Sequence, residues 1–348
     1  MSERGAVAVA MVNWNGWPDA LECLDSLARV EHPSLHVYLC DNASADDSAA
    51  KILAWGARAG WETVSIIWSQ AMDREYQPAP RQSPPRLTVI RNDANDGFAR
   101  GTNIAIRCAL ASSTSYEFIW ALNTDTIVDP KAVTVAIEVG RRMPMAGSVQ
   151  SLLVGYPDDH LVDSAGFRLL VRGGARDLFR KSRVDQLPVT VNDEPVQVFG
   201  ACAASAFYRA AALARVGLFD ERLFQTNEDV DLACRLTAAG YDAWLAPGSV
   251  VRHKGGISRR RNAGRMWFIA HRAKLLVVAR WWPRLVATPA VLLGAARAFV
   301  AMVRSPGVRA REWWEVVRSA AKELMGGADE HVRRAVLSAG RRGFRLPR

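Results

Sequence analysis

Two clusters of acidic side chains stand where a strand or a helix would present them. Asn123-Thr-Asp125-Thr126 follows the apolar run Phe118–Leu122. A carboxylate just past a strand end can hold Mg2+ or Mn2+ through oxygen, and the metal can then bridge a diphosphate. Asp125 can equally be a turn residue, because Asn and Asp favour turns. Asn227-Glu228-Asp229-Val230-Asp231 leads into Val230, Ala233 and Leu236 at helical spacing, and Gly240 stops the pattern. Glu228 and Asp229 then fall in a first turn. The helix dipole favours acids there, and a carboxylate there can also take a proton from a hydroxyl. In Val251-Arg252-His253-Lys254-Gly255-Gly256 a histidine sits among cations. It is a metal ligand through its neutral imidazole, or a surface histidine near a phosphate. Asn95-Asp-Gly97-Phe-Ala-Arg100-Gly101-Thr-Asn103 is a glycine-bearing loop opening a helix, a place to meet a phosphate or a sugar. Arg100, Arg252 and Lys254 could add positive charge there; Arg100 also reads as a solvated loop residue.

The elements that must position these groups alternate along the first half of the chain. Ala6–Val12, Leu35–Cys40, Leu87–Ile90 and Phe118–Leu122 read as buried strands. Asp19–Val30, Asp46–Ala59, Gly97–Ala111 and Pro130–Arg142 read as helices, the last opened by proline. A further helix is expected within Asp220–Gly240. Strand–helix alternation predicts an α/β layer, a Rossmann-like, mostly parallel sheet flanked by helices. Such sheets bind ligands at the carboxyl ends of their strands, where Asn13, Asp41 and Asp125 all fall. Residues 60–86 interrupt the alternation, and four prolines make Glu75–Pro85 a loop, so this stretch is expected to be an insertion. Asp163–Val198 carries strand-like pieces.

Of 348 residues, 49% are hydrophobic and 23% charged, enough for one large domain or two modest ones. The five cysteines form no C-x-x-C pair and read as reduced thiols. The first sixteen residues lack a basic leader, and Ala6–Val12 is too short for a secretory core, which predicts a cytoplasmic protein. Charge is uneven: residues 252–348 carry 22 Lys and Arg against 5 Asp and Glu, a net +17, while residues 1–251 are net −7. The basic stretch needs an anionic partner: lipid headgroups, nucleic acid or a phosphorylated substrate. Trp267, Trp281, Trp282, Trp313 and Trp314 lie among its arginines. Leu285–Val303 is apolar except for Thr288 and Arg297, but Pro289 and Arg297 argue against a clean span of about 20 apolar residues. Helices lying in the headgroup plane fit better; the alternative is a helical lid packed on the sheet.

Taken in order, these segments resemble glycosyltransferase family 2, in its rhamnosyltransferase-like branch, over Val7–Ser258. The resemblance rests on Val12-Asn-Trp-Asn-Gly16, Asp41-Asn-Ala-Ser-Ala-Asp46, Asn95–Asn103, Leu122-Asn-Thr-Asp-Thr126, Gly200-Ala-Cys202, Val216-Gly-Leu-Phe-Asp-Glu221, Asn227–Gly240 and His253-Lys-Gly-Gly-Ile-Ser258. It implies a GT-A fold over residues 1–258, with a basic, tryptophan-rich helical extension over 259–348. It further implies a nucleotide-diphosphate sugar donor, inversion at the anomeric carbon and a saccharide or lipid-linked saccharide acceptor used in cell-surface polysaccharide synthesis. Rhamnose from a deoxythymidine-diphosphate donor is favoured over uridine-diphosphate sugars. By the same resemblance Asp229 is the catalytic base, Asp125 and His253 meet a divalent Mg2+ or Mn2+, and Asp41 contacts the nucleoside base. Asn13, Asn95, Gly97, Arg100, Asn103, Asn123 and Glu228 are expected around the nucleotide sugar. One departure from the pattern is Asn123-x-Asp125, which lacks one acid; Asp96 and Asp129 are nearby acids that could restore the charge. A peripheral place on the inner face of the cell membrane follows if the acceptor is lipid-linked. The competing readings are a non-catalytic nucleotide-sugar binder, which would not need Asp229, and a nucleic-acid binder, suggested by the sequence pI of about 9.8 but lacking a nucleic-acid motif. A dinucleotide-dependent oxidoreductase is disfavoured by the missing G-x-G-x-x-G after the first strand.

Overall fold

The computed structural model describes residues 5–69, 86–190, 193–255, 263–304, 310–342 and 344–345. The elements in chain order are β1 (Val7–Asn13), α1 (Trp17–Leu27), β2 (Leu35–Asn42), α2 (Ser48–Arg58), β3 (Thr63–Trp68), β4 (Leu87–Asn92), α3 (Gly97–Leu110), β5 (Phe118–Leu122), β6 (Thr126–Val128) and α4 (Ala132–Arg142). Then come β7 (Ala146–Gly155), β8 (Val162–Ser164), β9 (Phe167–Leu169), β10 (Ala175–Asp177), β11 (Val196–Val198), β12 (Ser205–Arg209), α5 (Ala210–Val216) and α6 (Glu228–Ala238). The chain continues through β13 (Asp242–His253), α7 (Ala263–Trp281), α8 (Arg284–Arg304), α9 (Ala310–Gly326), α10 (Glu330–Arg342) and β14 (Phe344–Arg345).

One mixed sheet of order β14-β11-β13-β7-β12-β5-β1-β2-β4-β3 organises the molecule. The half from β5 to β3 is parallel, which brings the ends of β1, β2 and β5 to one edge. β12 runs antiparallel between β5 and β7, and β13 is parallel to β7. β1 is apolar on both faces because both are covered. Val7, Val9 and Met11 meet Leu24, Ile52 and Ile137 on one side, while Ala8 and Ala10 meet Ile104 and Leu213 on the other. Helices thus flank the sheet on both faces, as the alternation predicts.

Two expectations are corrected. Residues 60–86 are not wholly a loop: Thr63–Trp68 forms β3, parallel to β4 at the sheet edge. The Glu75–Pro85 part lies outside the described residues. The fourth helix starts at Ala132 rather than Pro130, because the Asp129 carboxylate accepts from the Lys131 N–H at 3.0 Å and holds the turn before it. The helix expected within Asp220–Gly240 begins at Glu228, with Glu228 and Asp229 in its first turn as the spacing predicts. Phe224, Thr226 and Asn227 all have positive φ, and left-handed residues cannot continue a right-handed helix.

The 258/259 boundary falls within residues 256–262, outside the described residues. Beyond it, the C-terminal helices pack on the body. Ala273, Leu276, Val277 and Trp281 of α7 share a core with Phe167 and Leu169 of β9, with Val230 and Ala233 of α6, and with Val336 and Leu337 of α10. Trp282 is fully buried and donates its indole N–H to the Leu170 carbonyl at 2.8 Å. A buried carboxylate ties the extension to α6: Asp231 accepts from Arg235 at 2.8 Å, from Arg280 at 2.6 Å and from the Trp281 indole at 2.9 Å. Arg280 also reaches Asp220 at 2.9 Å and Glu323 at 2.8 Å. The lid alternative therefore describes the inner side of the extension. Its outer side differs: Leu285, Leu292, Leu293, Phe299 and Val300 of α8 and Trp314 of α9 are exposed. Among the described residues, no helix is long and apolar enough to cross a membrane.

Candidate active site

The strand pairing of β6 brings Asp125 and His253 together. β6 runs antiparallel to β13 with Thr126 opposite His253, and the Lys254 N–H donates to the Asp125 carbonyl at 3.0 Å. His253 Nε2 then lies 3.3 Å from Asp125 Oδ1 and 3.5 Å from the Asn123 amide nitrogen. His253 Nδ1 lies 2.7 Å from Asp163 Oδ2, a residue of β8 that the sequence did not single out. Burial alone would lower the imidazole pKa, but the hydrogen bonds and charges of Asp125 and Asp163 raise it to about 9. Burial likewise pushes the Asp125 carboxyl upward, but the His253 bond and charge outweigh it and hold it below the usual carboxylate range. Arg180 reaches Asp163 at 3.2 Å and Asp177 at 3.0 Å. Neither acid expected to restore charge does so: Asp96 is paired with Arg100 at 3.0 Å, and Asp129 holds Lys131.

Asp229 heads α6. Its carboxylate accepts from the backbone N–H of Val230 at 2.8 Å and of Ala203 at 3.3 Å. Among the described residues it binds no other side chain. Burial pushes the carboxyl up to about 6, the negative charge of Asp177 adds to this, and the backbone N–H groups partly offset it. A carboxylate poised this close to neutrality is suited to accept a proton. Glu228, one residue before it, is buried.

At the ends of β1 and β2, Asn13 and Asp41 are opposite neighbours. The Asn13 amide donates to Asp41 Oδ1 at 3.0 Å, and the Ser44 hydroxyl donates to the same oxygen at 2.6 Å. Among the described residues, Asp41 Oδ2 has only a long contact of 3.4 Å with the Ser44 N–H, and the Asn13 side-chain oxygen has no partner.

The Asn95–Asn103 segment reaches the cleft through Phe98. Asn95, Gly97, Arg100 and Asn103 do not line the cleft that holds Asp229. Asn95 Oδ1 accepts from Asn42 and from the Gly97 N–H, both at 3.1 Å. Arg100 and Asn103 each reach Glu221 at 2.9 Å, and Asn103 exchanges hydrogen bonds with the Phe219 backbone at 2.9 and 3.0 Å. Gly97 has φ +84°, and a Cβ there would lie 2.5 Å from the Phe224 carbonyl oxygen. Arg100 and Asn103 thus brace the turn that leads into α6. Arg252 is paired with Asp159 at 3.1 Å, and Lys254 with Asp19 and Glu22.

The cleft has a volume of about 650 Å³. It is lined by Asn123, His253 and Lys254, by Cys202–Ala204, by Asn227–Val230, and by Asp163, Arg176, Asp177 and Arg180. Asn123, Glu228, Asp229 and His253 thus meet in one space, with Asp125 directly behind His253. Asn13 and Asp41 stand apart at the neighbouring strand ends.

A mixed sheet with helices on both faces and acids gathered at its strand ends is the GT-A glycosyltransferase architecture. Among solved structures, the chain is similar to the mannosyltransferase PcManGT from Pyrobaculum calidifontis in complex with GDP-Man and Mn2+, with a TM-score of 0.53, 15% identity, and 97% of this chain and 86% of that chain covered. It is also similar to GalNAc-T7 with UDP, GalNAc and Mn2+, with a TM-score of 0.56 and 13% identity, covering 93% of this chain and 57% of that one. The family model described as "Glycosyltransferase like family 2" matches residues 4–274, so the chain belongs to that family of sugar-transferring enzymes. Among curated relatives, it is 26% identical over 245 residues to the N-acetylglucosaminyl-diphospho-decaprenol L-rhamnosyltransferase of Mycobacterium tuberculosis, covering 63% of this chain and 77% of the relative.

The architecture implies a divalent cation, and the donor set at Asp125 fits one in part. One carboxylate oxygen and one imidazole nitrogen converge there, a pair that Mn2+ or Mg2+ accepts. Among the described residues, no group of three His, Cys, Asp or Glu side chains is arranged to hold a metal. That suits an ion whose other ligands are substrate phosphates and water. Ligation needs neutral imidazole, so binding would displace the proton that His253 holds between its two carboxylates.

Proposed function

We propose that the enzyme transfers a sugar, with rhamnose favoured, from a nucleoside-diphosphate donor to a hydroxyl of a saccharide or lipid-linked saccharide acceptor. Cell-surface polysaccharide synthesis is the setting. One observation carries this reading: Asp229, a carboxylate with a raised pKa and no side-chain partner among the described residues, shares a cleft with Asn123 and His253. Asp229 takes the proton of the acceptor hydroxyl as its oxygen attacks the anomeric carbon. The bond from that carbon to the diphosphate oxygen breaks, and the nucleoside diphosphate leaves with the electron pair. This single displacement inverts the anomeric centre. Asp125 and His253 would hold a divalent cation, whose chemistry is to neutralise charge on the departing diphosphate. Asp41 and Asn13 face the nucleoside, the orphaned Asn13 oxygen being free to accept from the base. Glu228 and Asn123 orient the donor.

The rhamnose preference is supported by the curated relative's name, and that same name supports a diphosphate-lipid acceptor. Work at the inner face of the cell membrane is consistent with the exposed apolar face of α8 and the net +17 of residues 252–348. Calorimetric titration of nucleoside diphosphates and nucleotide sugars, with and without Mn2+ or Mg2+, tests the donor site on wild type and on Asp125→Ala. Cation-dependent binding of one nucleotide, lost in the variant, is expected. No binding to any of them by folded protein would sink the reading.

A further inference from the structure

The carboxylate bonded to His253 is aimed by an irregularity in its own strand. β13 and β8 both pair with β7 at Leu153 and Val154, so they lie on its two edges. β8 runs antiparallel, with Ser164 opposite Leu153 but Val162 opposite Val154. One residue too many stands on β8, and Asp163 is that residue. A bulge of this kind re-aims a side chain that regular pairing would send elsewhere. Val162 and Ser164 on either side are buried, whereas Asp163 lines the cleft. There its Oδ2 lies 2.7 Å from His253 Nδ1.

This bond decides which ring nitrogen is offered to an ion. An ionised carboxylate only accepts, so Nδ1 carries a proton and donates it. The lone pair of the neutral ring is then on Nε2, the nitrogen 3.3 Å from Asp125 Oδ1. Asp163 bonds the opposite nitrogen, so it does not share the position between Nε2 and Asp125. It is also held from behind. Its Oδ1 lies 3.2 Å from Arg180, and Arg180 lies 3.0 Å from Asp177. The Ser164 hydroxyl donates to the other Asp177 oxygen at 3.1 Å. A carboxylate on the remote nitrogen of a metal-binding histidine fixes the ring's tautomer and orientation and strengthens it as a ligand.

We propose that Asp163 is a positioning residue for the cation, holding the His253 ring so that Nε2 faces the Asp125 carboxylate. This rests on the reading of Asp125 and His253 as the cation ligands. With Asn123 in place of a second acid, a single carboxylate faces the ion from that turn, and an imidazole set in advance carries more of the protein's share of the ligation.

The test titrates Mn2+ into the full chain with deoxythymidine diphosphate or uridine diphosphate present, and reads free Mn2+ by electron paramagnetic resonance. Asp163→Ala should bind Mn2+ about 10- to 100-fold more weakly than wild type. Asp163→Asn should lose less, because its side-chain oxygen still accepts from Nδ1–H. Nucleotide affinity measured without cation should be the same in all three proteins. A loss in Asp163→Asn as large as in Asp163→Ala would overturn the proposal, by assigning the effect to net charge instead of orientation. A fall in cation-free nucleotide binding would overturn it too, by giving Asp163 a general structural role. Mn2+ binding that is lost in His253→Ala but kept in Asp163→Ala would overturn this proposal alone, whereas no Mn2+ binding by wild type would overturn the cation reading and the proposal with it. Proton–nitrogen spectra of histidine-labelled wild type give a readout that needs neither cation nor a folded Asp163 variant. A ring N–H protected from exchange, assigned by its absence in His253→Ala, is expected, and its absence from wild type would overturn the bond itself.

Discussion

At the scale of single residues, Asp229 carries opposite demands. Its carboxyl, near 6, is ionised for base catalysis at neutral pH, but holding that charge in the protein weakens the fold. The folded pKa lies above the ordinary aspartate value of about 3.9, so the native state binds the extra proton between the two values. Stability on this account falls as pH rises from about 4 to about 6, and the full penalty acts above that. Asp229→Asn should therefore lower kcat by 10²- to 10⁴-fold. It should also raise stability at pH 7.5 by on the order of 2 kcal/mol, a gain that disappears near pH 4. Denaturant melts of both proteins at the two pH values measure it. The wild-type kcat/KM should fall on the acid side with an apparent pKa of about 6. Asp125, His253 and Asp229 were nominated as site residues because each sits in a short motif with its own local chemistry. Asp163, Asp177 and Arg180 were not, because only the placement of β8 and β10 brings them to His253 and Asp229. Arg100 and Asn103 show how little a glycine loop before a helix decides by itself, since it looks the same whether it cradles a phosphate or braces a neighbouring turn.

At the scale of elements, α6 is held at its first turn from outside the sheet. Asp231, two residues after Asp229, is fully buried and takes two of its partners, Arg280 and Trp281, from α7. Removing one partner of a buried charge costs more than the pair itself is worth. Arg280→Met should therefore destabilise by about 3 kcal/mol, and the double variant Asp231→Asn/Arg280→Met should recover part of that. Because the first turn shifts with the network, kcat should fall several-fold in the single variant while the nucleoside diphosphate Kd is unchanged. A KM effect alone would argue against this positioning role. The elements β1, β2, β4 and β5 were readable as apolar runs between turns. β13 was not read as a strand, since Pro247 and Gly248 interrupt its apolar run. They sit instead in a bulge where the register with β7 shifts between Ala246 and Val250. β3 was masked by its proximity to a proline-rich stretch, although Thr63–Trp68 is rich in β-branched and aromatic residues.

At the scale of the whole molecule, the contrast between an acidic body and a basic C-terminal stretch is plain from counting, but how that stretch folds back is not. Its helices have two sides, one sharing a core with α6 and β9, the other an apolar stripe on α8 in which Leu285 is 86% and Leu292 67% exposed. Leu285, Leu292 and Phe299 recur every seven residues on one face, at the spacing of an interfacial helix. Leu292→Glu/Leu293→Glu should reduce sedimentation with anionic vesicles at least fivefold and leave the melting temperature within about 2 °C, since both side chains are already in solvent. A large melting shift without loss of vesicle binding would mean that the stripe belongs to the fold. The last described strand has a different bearing on the molecule. β14 pairs with β11 at the outer end of the sheet and covers it there. Removing the helical extension would strip that partner away along with the helices. The backbone donors and acceptors of β11 would then be open to a strand from another molecule, the condition under which sheets grow from chain to chain. A chain shortened before the extension is therefore expected to self-associate more readily than the full chain, with sedimentation velocity of the two as the measurement.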